Sequence, residues 1–255
     1  MLSQFFYSGL FAVAAVCMFV IPSDLVAEVY ELRTYTTNKG KLDNLNNRFR
    51  DHTIRLFDKH GMESVGYWVP TEEPASQNTL IYVLKHASRD AATASWNAFS
   101  ADPEWRKVAE DSQVDGRILA KAPESVFMNA ADYSPVFKSA ASDEHTVFEL
   151  RVYRTHQNKL PNLDARFRDH TISLFNKHRM QSVAYWHPLE KPESSSTLIY
   201  IIRHASRDTA TASWKAFLAD EDWKKVAKKS QLDGTILRER PESTFIKATD
   251  YSAIQ

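Results

Sequence analysis

The sequence predicts an α+β protein of two ferredoxin-like domains, each with the order β-α-β-β-α-α-β, whose sheets pair into a dimeric α+β barrel within one chain. Three observations predict this fold. The chain contains an internal repeat, each copy alternates strand-like and helix-like segments, and the third strand of each copy is apolar on both faces.

The repeat spans almost the whole chain behind its N-terminal segment. Residues 30–134 align with residues 148–252 without insertion or deletion, and about 65 of the 105 positions are identical. Two copies this similar are expected to share a fold. We therefore divide the chain into a signal peptide, a first domain, a linker and a second domain, at residues 1–27, 28–135, 136–145 and 146–255.

Hydrophobic spacing assigns the strands and the first helix of the first copy. Residues 29–36 alternate as a strand does, and residues 41–60 have the spacing of an amphipathic helix. Residues 64–69, 79–86 and 125–130 have the pattern of three further strands. The segments have the same order in the second copy.

Capping residues place the remaining helix boundaries. Ser88 can cap a helix that runs to Phe99, and Asp102 can cap the helix after it. Gly61 is a natural stop for the first helix. The second copy has Arg179 at that position, which indicates that the backbone does not require glycine there.

The third strand explains why the two copies pair. Ile81 and Val83 lie on one face, while Leu80, Tyr82 and Leu84 lie on the other. Helices can cover only one face of a four-stranded sheet, so the other apolar face needs a second cover. The sheet of the second copy supplies it within the same chain.

Composition excludes several classes of function. The formal net charge is zero, so no overall field attracts nucleic acid or an anionic membrane. The chain has six glycines and no glycine-rich phosphate loop. Its one cysteine, Cys17, lies in the leader, so we expect neither a disulfide nor a cysteine-ligated metal in the domains. The sequence predicts no metal site and no cofactor.

The leader predicts export. Residues 5–21 form an apolar run that is short for a membrane span and typical of the central region of a signal peptide. Ala27 offers a small residue for cleavage before Glu28. We expect a secreted or periplasmic protein without a membrane segment after cleavage. The alternative is a protein anchored by an uncleaved N-terminal segment.

Several motifs resemble the NIPSNAP domain. They are residues 30–35 (YELRTY), the His60-Gly61 step, residues 66–68 (GYW), residues 102–105 (DPEW) and residues 132–135 (DYSP). The resemblance covers nearly all of both copies. It implies the dimeric α+β barrel superfamily, which also contains antibiotic-biosynthesis and haem-degrading monooxygenases.

The sequence also departs from that family pattern. The usual Pro-Gly after the first strand is Lys39-Gly40 in the first copy and Gln157-Asn158 in the second. The second copy has residues 220–223 (DEDW) where the family has DPEW. These departures suggest that the second copy has drifted in function.

Two pairs of basic residues on the first helix are candidate ligand-binding residues. His52 and His170 fall on or beside the predicted buried stripe, where an imidazole can act as acid, base or ligand. Arg48 and Arg166 lie one turn before them and could bind an anion. The competing interpretations are a hydrogen-bonded core histidine and a solvated helix edge.

The first strand of each copy places a charged set on one face. If that face lines the barrel interior, the set could orient a polar or acidic ligand; if it faces outward, it is an ion pair of little energetic value. The residues are Glu31, Arg33, Tyr35, Glu149, Arg151 and Tyr153.

Aromatic residues of the second strand are further candidates for a pocket wall. Strand alternation turns one ring of each Tyr-Trp pair inward and the other outward, although an aromatic core is the simpler interpretation. The pairs are Tyr67 with Trp68 and Tyr185 with Trp186. Trp96 and Trp105 fall at helical positions and are interpreted as packing residues.

A lysine cluster distinguishes the second copy from the first. It could meet an acidic partner, although a solvated helix face is the simpler interpretation. The second copy has Lys224, Lys225, Lys228 and Lys229 where the first has Arg106, Lys107, Glu110 and Asp111.

Three functions remain open at this point, and we favour the first. The domain binds a small organic ligand in the barrel; or it is a cofactor-free or haem-dependent monooxygenase-like enzyme; or it is a non-catalytic scaffold. A cavity between the sheet and the first helix, lined by His52, would favour a binder or an enzyme. The sequence leaves open further association of two chains.

Overall fold

The computed structural model describes residues 27–136 and 143–254. Almost all of the predicted signal peptide and most of the predicted linker lie outside the described residues. Each repeat contributes four strands and the same set of helices. The strands are β1 (Val29–Thr36), β2 (Glu63–Pro70), β3 (Thr79–His86), β4 (Glu124–Ala130), β5 (Val147–Arg154), β6 (Gln181–Pro188), β7 (Thr197–His204) and β8 (Glu242–Ala248).

The helices occupy the predicted places. They are α1 (Leu42–Arg48), α2 (Ile54–Lys59), α3 (Arg89–Ala101), α4 (Pro103–Asp111), α5 (Leu160–Arg166), α6 (Ile172–Lys177), α7 (Arg207–Ala219) and α8 (Glu221–Lys229). Ser88 and Asp102 cap α3 and α4 as predicted, because their side chains accept hydrogen bonds from the first-turn amides of Ala91 and Glu104.

The eight strands form one closed antiparallel barrel in the order β1-β3-β2-β8-β5-β7-β6-β4. Within each repeat the strand order is that of a ferredoxin-like sheet. The last strand of each repeat pairs with the second strand of the other, β8 with β2 and β4 with β6. The predicted intramolecular barrel is therefore confirmed, and closure leaves neither sheet with a free edge.

Apolar side chains fill the interior of the barrel. Ile81 and Val83 point into it from β3, as the two-faced strand predicts, and Trp68 and Trp186 lie there almost fully buried. The outer face of each sheet packs against the helices of its own repeat, where Leu80, Tyr82 and Leu84 belong to a second cluster. The barrel interior is therefore an apolar core, and the helices cover the opposite face of each sheet.

The first helix differs from the prediction in one respect. Instead of one regular helix over residues 41–60, α1 and α2 are joined by a π-helical segment, Phe49–Thr53, and α5 and α6 by its copy, Phe167–Thr171. The wider turn brings Thr53 rather than His52 onto the buried face. Placing His52 on the buried stripe was therefore wrong, and the side chain is exposed.

The stop after the first helix also differs from the prediction. Gly61 has φ +73°, and Arg179 at the matching position has φ +60°. The backbone is left-handed in both copies, so the second copy keeps the conformation that favours glycine and places an arginine in it.

Candidate functional site

A cavity of about 450 Å³ lies between the sheet and the helices of the second repeat. Its floor comes from β5, and its walls come from the α5–α6 segment and from α7 and α8. It is lined by Arg151, Tyr153, Arg166, Phe167, Thr171, Phe175, Trp214, Phe217, Leu218, Trp223, Ala227, Gln231, Leu237 and Pro241. Aromatic walls with a few charged groups are typical of sites for small organic molecules.

Arg166 is the most unusual residue of this cavity. It ends α5 at the start of the π-helical segment, and only 7% of it is exposed. Its Nη1 is 3.5 Å from the Ser230 hydroxyl oxygen, its Cζ lies 5.4 Å from the centre of the Trp223 ring, and its Nε has no hydrogen-bond partner. In the described parts of the chain, no carboxylate forms an ion pair with it.

The electrostatic surroundings of Arg166 follow from that burial. Loss of hydration lowers the pKa of its guanidinium, and the phenol oxygens of Tyr153 and Tyr200 offset this only in part. Arginine nevertheless stays protonated in proteins. A buried charge without a counterion is costly, so an anion in the cavity would stabilise this residue.

The second arginine of the cavity, Arg151, is already neutralised. It is ion-paired with Glu149, which is fully buried. The carboxylate also accepts hydrogen bonds from Trp214 Nε1 at 2.7 Å and from the Ser243 hydroxyl at 2.5 Å, and His204 Nε2 lies 3.1 Å from it. Arg151 also stacks against Trp214, with its Cζ 4.3 Å from the ring centre.

These contacts fix the charge state of the Glu149 carboxylate. Burial alone would raise its pKa, but the hydrogen bond from His204, the charge of Arg151 and the hydrogen bonds from Ser243 and Trp214 hold the pKa at about 2. Glu149 is therefore ionised at neutral pH. The sum over Glu149, Arg151 and Arg166 is one positive charge.

The first repeat carries nearly the same set of residues. Thirteen of the fourteen lining positions are identical in the two copies, and the exception is Ser100 in place of Leu218. Arg48 is equally buried, lies 3.4 Å from the Ser112 hydroxyl oxygen, and has its Cζ 5.3 Å from the Trp105 ring centre.

The buried carboxylate network is repeated there as well. Glu31 accepts a hydrogen bond from Trp96 at 2.7 Å and from Ser125 at 2.6 Å, pairs with Arg33, and lies 3.1 Å from His86. The chain thus contains two copies of this arrangement of buried arginines and carboxylate.

The charged residues of the first strand fit neither of the two predicted positions, the barrel interior or the solvent-exposed surface. Glu31 and Arg33 lie on the face that points away from the barrel interior, yet the helices cover that face, bury Glu31 and leave only 14% of the Arg33 side chain exposed. The ion pair is therefore neither inside the barrel nor solvent-exposed. It lies at the base of the space between sheet and helices.

His52 and His170 line a different and more open surface. Each lies in a cleft between the first and last helices of its repeat, of about 720 Å³ in the first copy and about 280 Å³ in the second. Neither lines the inner cavity. Arg166 lies between the two spaces and lines both.

The aromatic pairs of the second strand alternate as predicted but do not form this site. Trp68 and Trp186 face the barrel interior, whereas Tyr67 and Tyr185 pack under the helices. None of the four lines the cavity.

Two sets of residues belong to the site although the sequence did not predict them there. Trp214 and Trp223, the copies of Trp96 and Trp105, form walls of the cavity instead of serving only in packing. His204 contacts the buried carboxylate of Glu149. The exact recurrence of its HASRD segment in both copies was the signal that could have found it.

In the described residues, no group of three or more His, Cys, Asp or Glu side chains is arranged to hold a metal ion. His60 instead pairs with Asp102 at 2.7 Å. Across residues 27–136 and 143–254, every helix is too short or too polar to cross a bilayer.

Comparisons with known proteins agree with this architecture. The family model described as NIPSNAP matches residues 30–135 and 148–253. A protein from Fusobacterium nucleatum, provisionally assigned as a monooxygenase, superposes with a TM-score of 0.59 at 9% identity, over 88% of this chain and 93% of its own. An anthrone oxidase-like protein superposes with a TM-score of 0.53 at 14% identity, over 87% of this chain and 91% of its own.

One further solved structure is that of a NIPSNAP family protein. A NIPSNAP family protein of unknown function from Agrobacterium tumefaciens is 24% identical over 44% of this chain and 95% of its own, with a TM-score of 0.37. No curated protein matches the sequence. The superpositions on the Fusobacterium and anthrone oxidase-like proteins, at 9% and 14% identity, establish the fold alone.

Proposed function

Because this chain belongs to the NIPSNAP family and folds as a dimeric α+β barrel, we propose that it binds a small organic anion between the sheet and the helices of each repeat. The anionic group contacts Arg166 or Arg48, and the apolar body of the ligand lies against the tryptophan walls. The ligand lies outside the barrel interior, which apolar side chains fill.

One observation carries the proposal: Arg166 is buried beside a cavity and has no carboxylate partner among the described residues. A charge that serves only stability is normally paired when it is buried. Arg151, which lines the same cavity, follows that rule through Glu149. The contrast between the two arginines suggests that Arg166 is kept for an external partner.

The charge of the site indicates the kind of ligand. With one uncompensated positive charge per repeat, a monoanion such as a carboxylate or sulfonate restores neutrality. The planar guanidinium can bind such a group with two parallel hydrogen bonds. The rings of Trp214, Trp223 and Phe217 then favour an aromatic or aliphatic remainder.

Binding can be tested with 2-naphthoate as the probe and 2-naphthamide as its neutral counterpart. Isothermal titration calorimetry should show 2-naphthoate binding at two sites per chain, while 2-naphthamide binds at least about 30-fold more weakly because it cannot pair with the arginine. Arg166→Met combined with Arg48→Met should abolish the preference for the acid.

A matched variant controls for loss of charge. Lys215→Gln also removes one positive charge from the second repeat, but Lys215 is exposed on α7 and does not line the cavity. Binding should be unchanged in this variant. Equal affinity for the acid and the amide, or equal binding by the double arginine variant, contradicts the proposal.

Export is a separate part of the proposal. It rests on the apolar run of residues 5–21 and the small residue before Glu28. Mass spectrometry of the protein purified from its host should give a mature N-terminus at Glu28. A mass that includes residues 1–27 contradicts cleavage. Native spectra of the same sample would show whether a ligand is carried along.

A further inference from the structure

The outer cleft beside Arg166 differs in charge from its copy beside Arg48. Five charged positions line the cleft of the first repeat, and they carry two positive and three negative charges. They are Arg48, Asp51, Glu104, Lys107 and Asp111. Their sum is minus one.

At the matching positions the second repeat carries three positive and three negative charges, so their sum is zero. They are Arg166, Asp169, Glu221, Asp222, Lys225 and Lys229. Lys229 in place of Asp111 raises the sum by two, whereas Glu221 in place of Pro103 lowers it by one and pairs with Lys224 at 2.7 Å. The charged residues that line the second cleft itself, Arg166, Asp169 and Lys229, sum to plus one.

This difference acts on the buried arginine because Arg166 borders both the cavity and the cleft. Lys229 is adjacent in sequence to Ser230, whose hydroxyl is the hydrogen-bonding group nearest to the Arg166 guanidinium. In the first repeat, Asp111 lies beside Ser112 in the same way, and its carboxylate pairs with Lys107 at 2.8 Å. An anion on Arg166 thus has a lysine nearby, and one on Arg48 has a carboxylate nearby.

The inner wall changes in the same direction. The one lining position that differs between the copies is Leu218 in the second repeat and Ser100 in the first. The second cavity therefore presents more apolar surface to the body of the ligand.

We infer that the two sites of the chain are unequal: the second repeat is the tight site for an amphiphilic organic anion, and position 229, with its counterpart 111, sets the difference. This inference rests on the proposed function. Lys229, at the C-terminal end of the α8 lysine cluster, thus contributes to ligand selection.

Single-site variants make the inequality measurable. Arg48→Met removes the arginine of the first site, so that only the site of the second repeat remains. Arg166→Met removes the arginine of the second site, so that only the site of the first repeat remains. At low salt, 2-naphthoate should bind Arg48→Met about tenfold more tightly than Arg166→Met. The difference should shrink at high salt, because the screening length of exposed charges falls from about 10 Å at 0.1 M to about 3 Å at 1 M salt.

Charge reversal then tests the residue itself. Lys229→Asp in the Arg48→Met background should weaken binding about fivefold, the order of magnitude that Coulomb's law gives for reversing a nearby exposed charge in a medium of high dielectric constant. Asp111→Lys in the Arg166→Met background should strengthen binding by a similar factor. Lys215→Asp, which makes the same charge change outside the cleft, should leave the affinity nearly unchanged.

The outcomes separate this inference from the proposed function. If the wild-type protein does not bind 2-naphthoate, or does not prefer it over 2-naphthamide, the proposed function fails. If both single-site variants bind with equal affinity, or Lys229→Asp behaves like Lys215→Asp, only the inequality fails. Tight binding by Arg48→Met with reciprocal effects of the two reversals supports it.

Discussion

Replacing Glu149 with glutamine should destabilise the protein strongly at neutral pH and weakly in acid. The substitution removes the negative charge that neutralises Arg151 but keeps the size of the side chain. Breaking a buried ion pair by removing one partner typically costs 3–5 kcal/mol, since the remaining charge is left unpaired.

The pKa of the carboxyl gives a second measure of the same quantity. It falls from an ordinary value of 4.5 to about 2 on folding. A shift of this size corresponds to about 3 kcal/mol of folding free energy at pH 7. Glu31, whose pKa also falls to about 2, contributes a similar amount in the first repeat.

The sign of the pH dependence follows from the direction of the shift. Because the folded pKa is depressed, the stabilisation is complete above about pH 4.5 and is lost as the pH falls towards 2. The wild-type protein should therefore lose stability steeply over that window. The Glu149→Gln variant should start lower and fall less, so the two curves should meet at the acidic end.

Urea denaturation at a series of pH values from about 7 to about 2 measures both effects. The difference between wild type and variant cancels other carboxylates, such as Asp102 and Asp220, whose pKa values are also lowered. Glu221→Gln, at an exposed position, serves as the control. A loss below about 1 kcal/mol at neutral pH, or parallel curves, would refute the account of a buried ionised carboxylate.

Three further predictions concern single substitutions in the ligand-free protein. Arg166→Met should raise or maintain the melting temperature, because it removes an uncompensated buried charge. A drop of more than about 4 °C in calorimetry would instead assign Arg166 a structural role. Arg179→Gly should stabilise the fold by about 1 kcal/mol in urea denaturation, because Arg179 has φ +60°, a left-handed conformation that favours glycine. An unchanged midpoint would argue against backbone strain at this position. Gly66→Ala should lower the free energy of unfolding by about 1–3 kcal/mol, because the added methyl group meets the Trp68 ring. Ala184→Gly, at the matching position of the second repeat, should lower it by about 1 kcal/mol or less. Equal losses in urea denaturation would contradict this difference in packing.

Local pattern was enough to predict much of the fold. β1 and β3 have the bounds that the sequence predicts, β1 from its alternation and β3 from its continuous apolar run, and Ser88 and Asp102 cap their helices as the residue types predict. The barrel follows from the two apolar faces of β3 together with the repeat. These features depend on periodicity, which neighbouring residues encode directly.

The candidate site depends on information of another kind. Alternation places Glu31, Arg33 and Tyr35 on one face of β1, but only barrel closure decides that this face meets helices and not the barrel interior. The π-helical segment turns His52 to the surface, and no spacing rule signals it. The side chain was therefore assigned to the wrong face.

By itself, the sequence determined that two copies of a β-α-β-β-α-α-β domain form one barrel, and that each copy carries a paired set of arginines and aromatic rings. Only the tertiary structure decided which of those arginines is neutralised. Glu149 reaches Arg151, and in the described residues no carboxylate reaches Arg166. The physical reason is that an ion pair depends on distances between side chains from separate elements, whereas the sequence specifies only the order in which those elements follow one another.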